Sequence, residues 1–323
     1  MPEKKIKYDV IIVGGGAAGL SAALWCDELE LKTVLLESGA EFGGQLLRVH
    51  NPIANHLGIE TVNGRELRDV FVKQIENRQF AVRFNTEVVE IDAENKIILT
   101  ADNQKFSAEN LIIATGVRRR RLNVEGEEQF KNKGILESGK RDYALADGKN
   151  ALVVGGGDAA FENALILSET AAIVTLVHRN KNFRARPEFV EQVKNNPKIE
   201  ILTETVVRKL IGSGRVEAVE LESLESKKIF ERNIEAILIR IGVEPNTNFL
   251  RGKIKFDKQG YIKINHNCQT NVEGIYAVGD AANPSAPTVS SAVGMGATAA
   301  KTILLGARTA RPPRLREQSK KFR

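Results

Sequence analysis

The chain has 323 residues, of which 42% are apolar and 27% are charged. This length is sufficient for two domains with separate cores, and the composition excludes the collagenous, disordered and disulfide-scaffold classes. No run of eighteen apolar residues occurs, so the sequence predicts no membrane-spanning helix. The first ten residues, MPEKKIKYDV, contain no apolar signal core, which argues against export and indicates the cytoplasm.

Basic charge is concentrated near the C-terminal end. The net charge is +6, from 47 basic and 41 acidic residues, and residues 306–323 carry seven basic side chains and one acidic one. We therefore predict a basic tail over 306–323, and a second basic cluster is Arg118–Arg121. Such clusters attract acidic partners over long range, although a solvated tail is the plainer alternative. No nucleic-acid recognition module accompanies them, so no nucleic acid is expected.

The cysteine pattern limits the redox chemistry of the chain. Only Cys26 and Cys268 are present, and no CxxC occurs. This excludes a four-cysteine zinc site and a dithiol of neighbouring cysteines. Both are predicted to be small buried thiols, which suits a reducing compartment. The four histidines lack metal-ligand spacing, and no metal site is predicted.

Residues 8–37 have the pattern of a strand, a glycine turn, a helix and a second strand. The run YDVIIV precedes GGGAAG at 14–19, and the second strand ends at Glu37. In a dinucleotide-binding βαβ unit the first glycine permits the turn, the second lets the backbone approach a pyrophosphate, and the third position keeps helix and strand close. The Glu37 carboxylate is suited to ribose hydroxyls, so this site is predicted to hold an unphosphorylated adenosine.

The same unit recurs from residue 151. ALVV precedes GGGDAA at 155–160, and VTLVH ends the second strand at His178. The first glycine and the end of the second strand are residues 14 and 37 in one copy and 155 and 178 in the other, so the spacing is identical. Arg179 and Arg184 follow, and arginines pair with a 2′-phosphate, which favours NADPH over NADH. Two such sites indicate a flavin together with a nicotinamide.

With these turns, further motifs resemble the low-molecular-weight thioredoxin reductases and their sister group, the thioredoxin-reductase-like ferredoxin/flavodoxin–NADP reductases. The resemblance extends from residue 8 to about 305, and its motifs are GGQ at 43–45, NHLG at 55–58, ATG at 114–116, HRNKNFRA at 178–185 and GIYAVGD at 274–280. It implies an α/β fold of two Rossmann-like three-layer domains. The FAD domain would be 1–115 plus 246–305, with the NADPH domain, 116–245, inserted into it.

The resemblance also implies the residues that bind each cofactor. Those for FAD are Gly14, Gly16, Ala17, Ala18, Gly19, Glu37, Gly44, Gln45, Asn55, Ala114, Thr115, Gly116, Gly279, Asp280, Thr288 and Val289. Those for NADPH are Gly155, Gly157, Asp158, Ala159, Ala160, His178, Arg179 and Arg184. The family's RQA is replaced by Pro287-Thr288-Val289, in which the proline has no N–H to donate to a flavin.

One departure from the family bears on the chemistry. Thioredoxin reductases carry a CxxC followed by aspartate upstream of the second glycine turn. Here Ser138 and Arg141 stand at the cysteine positions, while Asp142 retains the aspartate. Disulfide exchange needs a thiolate and a second thiol, so ordinary thioredoxin reduction is not expected.

Without a dithiol, electrons from NADPH would leave through the flavin itself. The first hypothesis is a reductase that exchanges electrons with an acidic ferredoxin- or flavodoxin-like carrier. His50 and Phe322 are candidate residues to stack on the flavin, although each also fits a solvent-facing position. The alternatives are a small acceptor such as a quinone, a metabolite or oxygen; a non-catalytic module that binds flavin and NADPH; and a reductase whose dithiol lies on a partner. The family resemblance further implies a homodimer.

Overall fold

The structure, a computed structural model, describes the backbone of residues 7–310 and the side chains of residues 7–306. Phe322 and most of the predicted basic tail therefore lie outside the described residues. The chain forms two compact units. The first contains the segments up to Arg118 and from Glu244, and the second is Arg119–Val243. The units divide at 118/119 and 243/244, compared with the predicted divisions at 115/116 and 245/246.

The first unit is built on a seven-stranded sheet. Its strands are β1 Lys7–Val13, β2 Thr33–Leu36, β3 Ala81–Arg83, β4 Val88–Asp92, β5 Ile97–Thr100, β6 Lys105–Ile113 and β17 Ile275–Ala277. The order is β3-β2-β1-β6-β5-β4, and β17 pairs with β6. Strands β1, β2, β3, β6 and β17 are parallel, whereas β4 and β5 form an antiparallel extension. Its helices are α1 Ala17–Glu28, α2 Gly64–Ile75 and α6 Val289–Ala310.

The second unit contains a parallel sheet and a smaller antiparallel one. The parallel strands are β8 Ile135–Leu136, β9 Asn150–Val154, β10 Ile173–Val177, β11 Ile199–Leu202 and β15 Ala236–Ile239, in the order β11-β10-β9-β15-β8. The antiparallel strands are β12 Thr205–Ile211, β13 Ala218–Ser223 and β14 Ile229–Asn233. The helices are α3 Gly139–Asp142, α4 Asp158–Ser168 and α5 Pro187–Lys194. Two short strands, β7 Val117–Arg119 and β16 Val243–Pro245, pair with each other where the chain crosses between units.

Both parallel sheets are covered on both faces, which explains why their strands are continuous apolar runs. In β1, Val10 and Ile12 belong to one buried cluster and Ile11 and Val13 to another on the opposite face. In the second unit, α4 covers one face of the sheet. Side chains of the antiparallel sheet cover the other face. Burial on alternating faces gives the three-layer arrangement, so the predicted α/β class is confirmed.

Helices α1 and α6 pack unusually closely in the first unit. A Cβ at Gly296 would lie 2.4 Å from the Ala18 carbonyl oxygen, a distance that no side chain tolerates. The contact surface consists largely of small residues, including Ala22, Ala299 and Ala300, all fully buried. This packing fixes the N-terminal end of α6 relative to α1, and both ends border the cavity described below.

Candidate functional site

The first glycine turn connects β1 to α1. Gly14 has a positive φ of 105°, and a Cβ there would lie 2.5 Å from the Ala114 carbonyl oxygen, so only glycine fits. A Cβ at Gly19 would lie 1.9 Å from the Gly14 carbonyl oxygen, so the helix rests directly on the turn. The N-terminus of α1, with its unpaired N–H groups, therefore opens beside the Gly14–Gly16 backbone. That arrangement favours a phosphate group.

Glu37, at the end of β2, is held by backbone amides of this turn region. Its carboxylate accepts from the Gly15 N–H at 2.6 Å and from the Gly39 N–H at 2.7 Å. These bonds fix the carboxylate at the wall of the cavity beside the turn. The remaining lone pairs of the two oxygens can accept from hydroxyl donors.

The GGQ loop packs on the glycine turn. The Gly43 N–H donates to the Gly15 carbonyl at 2.9 Å, and Gly43 and Gly44 both have positive φ. The 3₁₀ turn Gly44–Arg48 follows, and the Gln45 amide donates to the Val117 carbonyl at 2.8 Å. The glycines thus turn the chain sharply where it contacts the first turn, and Gln45 ties the loop to the segment after β6.

The segment after β6, Ala114–Gly116, is fixed by the returning chain. The Thr115 hydroxyl donates to the Asn246 carbonyl at 2.8 Å, and the Asn246 amide donates to the Thr115 carbonyl at 2.9 Å. Arg118 adds a pair with Glu244 at 2.7 Å. These contacts, all within the first unit, bring the two distant segments of that unit together at the carboxyl end of its sheet.

The Asp280 carboxylate is a candidate to bind a ligand in this cavity. It follows β17 and lines the cavity, half-buried. Burial raises its pKa above the usual 3.8, and no hydrogen bond from a residue in the described range reaches its side chain. A desolvated carboxylate without protein donors suits a ligand that supplies hydroxyl groups.

These elements enclose a cavity of about 720 Å³ in the first unit. That volume is within the usual range for a cofactor site. Of the residues predicted to bind FAD, all line the cavity except Gly19, which packs under the turn, and Asn55, which is exposed elsewhere. The glycine turn, the fixed Glu37 carboxylate and the unpartnered Asp280 fit a dinucleotide with hydroxyl groups.

Several cavity residues were not found by sequence reasoning. They are Arg48, Val49, Thr86, Glu87, Val88, Val89, Arg118, Asn246, Asn248 and Phe249. Thr86 and Glu87 lie between β3 and β4, and Val88 and Val89 begin β4. Because ligands bind at the carboxyl ends of parallel strands, the end of β3 would have pointed to this segment. Asn246–Phe249 become neighbours only through the return of the chain, for which the sequence carries no local signal.

Of the two residues predicted to stack on the flavin, only His50 lies within the described residues, and it does not line this cavity. His50 is half-buried but is not among the lining residues, although Arg48 and Val49 beside it are. His56 instead reaches α6, with its Nδ1 3.1 Å from the Ser290 hydroxyl. The Thr288 N–H, in the segment that replaces the family's RQA, donates to the Ala286 carbonyl at 2.8 Å, so this N–H already has a protein acceptor.

The second glycine turn, between β9 and α4, is shaped by the protein's own side chains. Gly155 has a φ of 154°, and a Cβ there would lie 2.3 Å from the Arg240 carbonyl oxygen. A Cβ at Gly156 would lie 2.3–2.5 Å from the His178 ring, whereas one at Gly157 would meet nothing within 4 Å. Gly155 and Gly156 are therefore required by packing, and Gly157 leaves open space where a ligand can approach.

His178 is buried under this turn. Its Nε2 lies 3.2 Å from the Asn182 carbonyl, and burial lowers its pKa, with Arg179 and Arg184 adding to the effect. The neutral ring therefore acts as a spacer between the turn and β10. Arg179 and Arg184 are exposed. The Arg184 N–H donates to the Gly156 carbonyl at 2.7 Å, which ties that segment to the turn.

The other predicted NADPH residues lie at the start of α4. Gly157 is its N-cap, and Asp158 is its first residue. Asp158 accepts from the Arg186 backbone at 2.7 Å and from its guanidinium at 2.8 Å, so its carboxylate is already engaged. Ala159 is exposed and Ala160 is buried, as helix–strand packing requires at the small third position.

Ser138, Arg141 and Asp142 form a structural turn. Ser138 is the N-cap of α3, and its hydroxyl accepts from the Arg141 N–H at 3.4 Å. The buried Asp142 carboxylate accepts from the N–H groups of Glu137 and Ser138 at 2.7 and 3.1 Å and pairs with the Arg141 guanidinium. Burial alone would raise the pKa of Asp142, but these donors outweigh it and lower the pKa. The carboxylate therefore stays ionised and caps the turn.

Both cysteines are buried in one apolar cluster of the first unit, and neither is in a disulfide. Burial raises the pKa of Cys26 to about 12 and that of Cys268 to about 11. Both therefore remain thiols at neutral pH, and the thiolate is the reactive form. Among residues 7–310, no helix is long and apolar enough to cross a membrane.

Two glycine turns, each between a parallel strand and a helix, define an α/β protein with two dinucleotide-binding folds. Residues 8–296 match the pyridine nucleotide-disulphide oxidoreductase family, and the chain belongs to that family. The predicted resemblance to thioredoxin reductases is confirmed by the relatives below. Thioredoxin reductases use FAD and NADPH, and by this membership the protein is a flavoprotein oxidoreductase.

Similar proteins span nearly the whole chain. A thioredoxin reductase of Spironucleus barkhanus is 38% identical over 275 residues, covering 84% of this chain and 89% of that protein. The 34.2 kDa protein in the rubredoxin operon of Clostridium pasteurianum is 31% identical over 305 residues, covering 93% and 97%. The crystal structure of Lactococcus lactis thioredoxin reductase in its FR conformation has a TM-score of 0.79 at 31% identity and covers 93% of this chain and 99% of its own.

Proposed function

We propose that the protein is an FAD-dependent NADPH oxidoreductase that passes electrons to an external acceptor without a dithiol of its own. The observation that carries this proposal is the state of the thiols. Cys26 and Cys268 are the only cysteines of the chain, and both are buried with raised pKa values. Ser138 and Arg141 are engaged in a turn that needs neither sulfur nor redox change. The polypeptide therefore offers no relay beyond the flavin.

The first unit is the proposed FAD domain. The amides at the start of α1 and the Gly14–Gly16 turn would hold the pyrophosphate, and Glu37 would accept from the adenosine ribose. Asp280 would accept from the hydroxyls of the ribityl chain, which offsets its burial. When bound, FAD accepts a hydride from a nicotinamide and releases electrons to one- or two-electron acceptors. The residues of the first unit would position the FAD and set the charge around it.

The second unit is the proposed NADPH domain. Gly157 leaves the approach to the turn open, and the α4 N-terminus attracts the pyrophosphate. Arg179 and Arg184 are exposed on the segment after β10, where a 2′-phosphate would make charge-assisted hydrogen bonds. His178 and Asp158 keep the turn and that segment in place and do not need to touch the nucleotide.

A ferredoxin- or flavodoxin-like carrier is the proposed acceptor. One relative is encoded in a rubredoxin operon, which supports a protein electron carrier. In the cluster Arg118–Arg121, three guanidiniums are ion-paired, to Glu244, Glu137 and Glu128. Much of its charge is therefore offset locally, and the basic tail is the better candidate to attract an acidic carrier. A homodimer and a cytoplasmic location complete the proposal.

The test is an anaerobic titration of the purified holoprotein. NADPH is expected to bleach the flavin absorbance in the blue, and NADH to do so with a much lower affinity. Flavodoxin, ferredoxin, rubredoxin, a quinone and thioredoxin are then added in turn, with reoxidation as the measurement. Rapid turnover with a protein carrier and none with thioredoxin supports the proposal. Thioredoxin turnover, turnover only with the quinone, or a flavin that NADPH leaves oxidised contradicts it.

A further inference from the structure

Two arginines of the second unit converge on one backbone carbonyl. Arg240 donates to the Glu137 carbonyl at 2.9 Å, and Arg119 donates to the same oxygen. Arg240 directly follows β15, and Glu137 directly follows β8. Both guanidiniums therefore lie at the carboxyl edge of the parallel sheet, next to Ser138 at the start of the structural turn.

Among the described residues, Arg240 has no direct carboxylate partner. Its hydrogen bonds go to neutral acceptors, the carbonyls of Glu137 and Ile239, and within the described chain it makes no ion pair. Burial and the neighbouring Arg119 lower its pKa to about 10, and the carboxylates of Glu137, Asp142 and Glu162 oppose this change. Arg240 therefore stays protonated at neutral pH, as a half-buried cation beside Arg119, whose own charge is partly offset by the Glu137 carboxylate at 3.5 Å.

The position of this pair in the sheet indicates what it faces. A dinucleotide binds at the carboxyl ends of parallel strands, where the strand order reverses. In the order β11-β10-β9-β15-β8 the reversal lies beside β9, and the 2′-phosphate end of the nucleotide belongs to the β10 side, with Arg179. In the proposed site the other half of the nucleotide, which ends in the nicotinamide, would extend toward β15 and β8, the strands that precede Arg240 and Glu137.

We propose that Arg240, with support from Arg119, selects the reduced form of the nicotinamide nucleotide. This inference rests on the proposed NADPH site of the second unit. The oxidised nicotinamide ring carries a positive charge, whereas the reduced ring is neutral. A half-buried cation repels the former more strongly than it would in water. The protein would therefore bind NADPH in preference to NADP⁺ and release the oxidised product readily.

The experiment measures binding to the oxidised holoprotein, without turnover. Three ligands are compared by calorimetry: NADP⁺, the redox-inert 1,4,5,6-tetrahydro-NADP with its uncharged ring, and 2′-phospho-ADP-ribose, which has no nicotinamide. In the natural protein NADP⁺ is expected to bind about tenfold more weakly than the tetrahydro form, a difference of about 1.4 kcal/mol. Arg240→Met is expected to remove most of that difference and to leave the affinity for 2′-phospho-ADP-ribose unchanged.

Two controls isolate the charge. Arg240→Lys keeps a cation and should retain the discrimination, while Arg215→Met removes an exposed charge elsewhere in the same unit and should change nothing. If Arg240→Met loses affinity for 2′-phospho-ADP-ribose, its fold is damaged, and Arg119→Met replaces it in the test. An unchanged ratio of NADP⁺ to tetrahydro-NADP affinities overturns this inference alone. If the natural protein binds none of the three ligands, the proposed NADPH site fails, and the inference falls with it.

Discussion

At the scale of single residues, the two glycine turns show that a glycine can be required by the protein or by its ligand. Gly156 lies against the buried ring of His178, so its lack of a side chain serves packing. Gly157, one position later, has free space where a Cβ would lie, which lets a ligand approach the backbone of the turn. The sequence motif names Gly155 and Gly157 but not Gly156, because the contact with His178 comes from tertiary structure.

This difference predicts two separable phenotypes. Gly156→Ala would force a Cβ to within 2.3–2.5 Å of the His178 ring. Overpacking of this kind costs about 1–3 kcal/mol of unfolding free energy. Gly157→Ala should leave stability nearly unchanged and weaken NADPH binding, because its methyl group enters the approach path. Denaturant unfolding and NADP⁺ titration measure the two effects, and a stable, tight-binding Gly156→Ala protein would contradict the assignment.

The turns could be predicted because strand, glycines and helix follow one another in a short pattern that occurs twice, although the carbonyls that exclude a Cβ at Gly14 and Gly155 belong to Ala114 and Arg240, far along the chain. The strands were readable because burial on both faces leaves an uninterrupted apolar run, as in YDVIIV. The hydrogen bonds from the Glu137 and Ser138 N–H groups to Asp142 could not be predicted, because the sequence shows the aspartate but not the groups that donate to it. Likewise, Arg240 reaches Glu137 only because β8 and β15 are neighbours, although they are about a hundred residues apart.

At the scale of elements, the α1–α6 pair determines how the first cavity is closed. α1 supplies the N–H groups at the glycine turn, while α6 begins at Val289 beside Thr288 on the cavity wall. The helices approach closely because Gly296 faces the Ala18 carbonyl. A change in their separation would therefore move both walls of the cavity at once.

Two glycines of α6 provide a matched test of this packing. Gly296→Ala places a Cβ 2.4 Å from the Ala18 oxygen, whereas Gly294, exposed on the same helix, has nothing within 4 Å. The first substitution should lower the unfolding free energy by about 1–3 kcal/mol and weaken FAD retention. The second should be neutral or stabilise by up to about 1 kcal/mol, since alanine is the better helix former. Equal effects in thermal unfolding and FAD release would refute the close-packing argument.

At the scale of the whole molecule, charge is distributed unevenly along the chain. Most arginines of the 118–121 cluster are ion-paired, as described above. These ion pairs reduce the attraction that the cluster exerts on distant acidic proteins. The seven basic residues of 306–323 face one acid in sequence. An excess of this kind acts on diffusing partners through long-range attraction, which salt weakens because the screening length is about 10 Å at 0.1 M.

Removal of residues 311–323 should therefore slow electron transfer to an acidic flavodoxin or ferredoxin, and most strongly at low ionic strength. The expected loss is in the association rate, about tenfold or more at low salt and small at high salt. Stopped-flow reoxidation across a salt series measures it, and a neutral quinone as acceptor is the control. Identical salt profiles for the full and shortened chains would show that the tail does not attract the carrier.

The buried thiols have a consequence for chemical vulnerability. Electrophiles such as iodoacetamide and gold(I) compounds inactivate dithiol enzymes by capturing an accessible thiolate. In this protein Cys26 and Cys268 are enclosed by apolar side chains and keep their protons. Neither thiol is therefore expected to react with such electrophiles while the chain is folded. We therefore expect the electron transfer proposed for this protein to continue at electrophile concentrations that inactivate dithiol-dependent reductases.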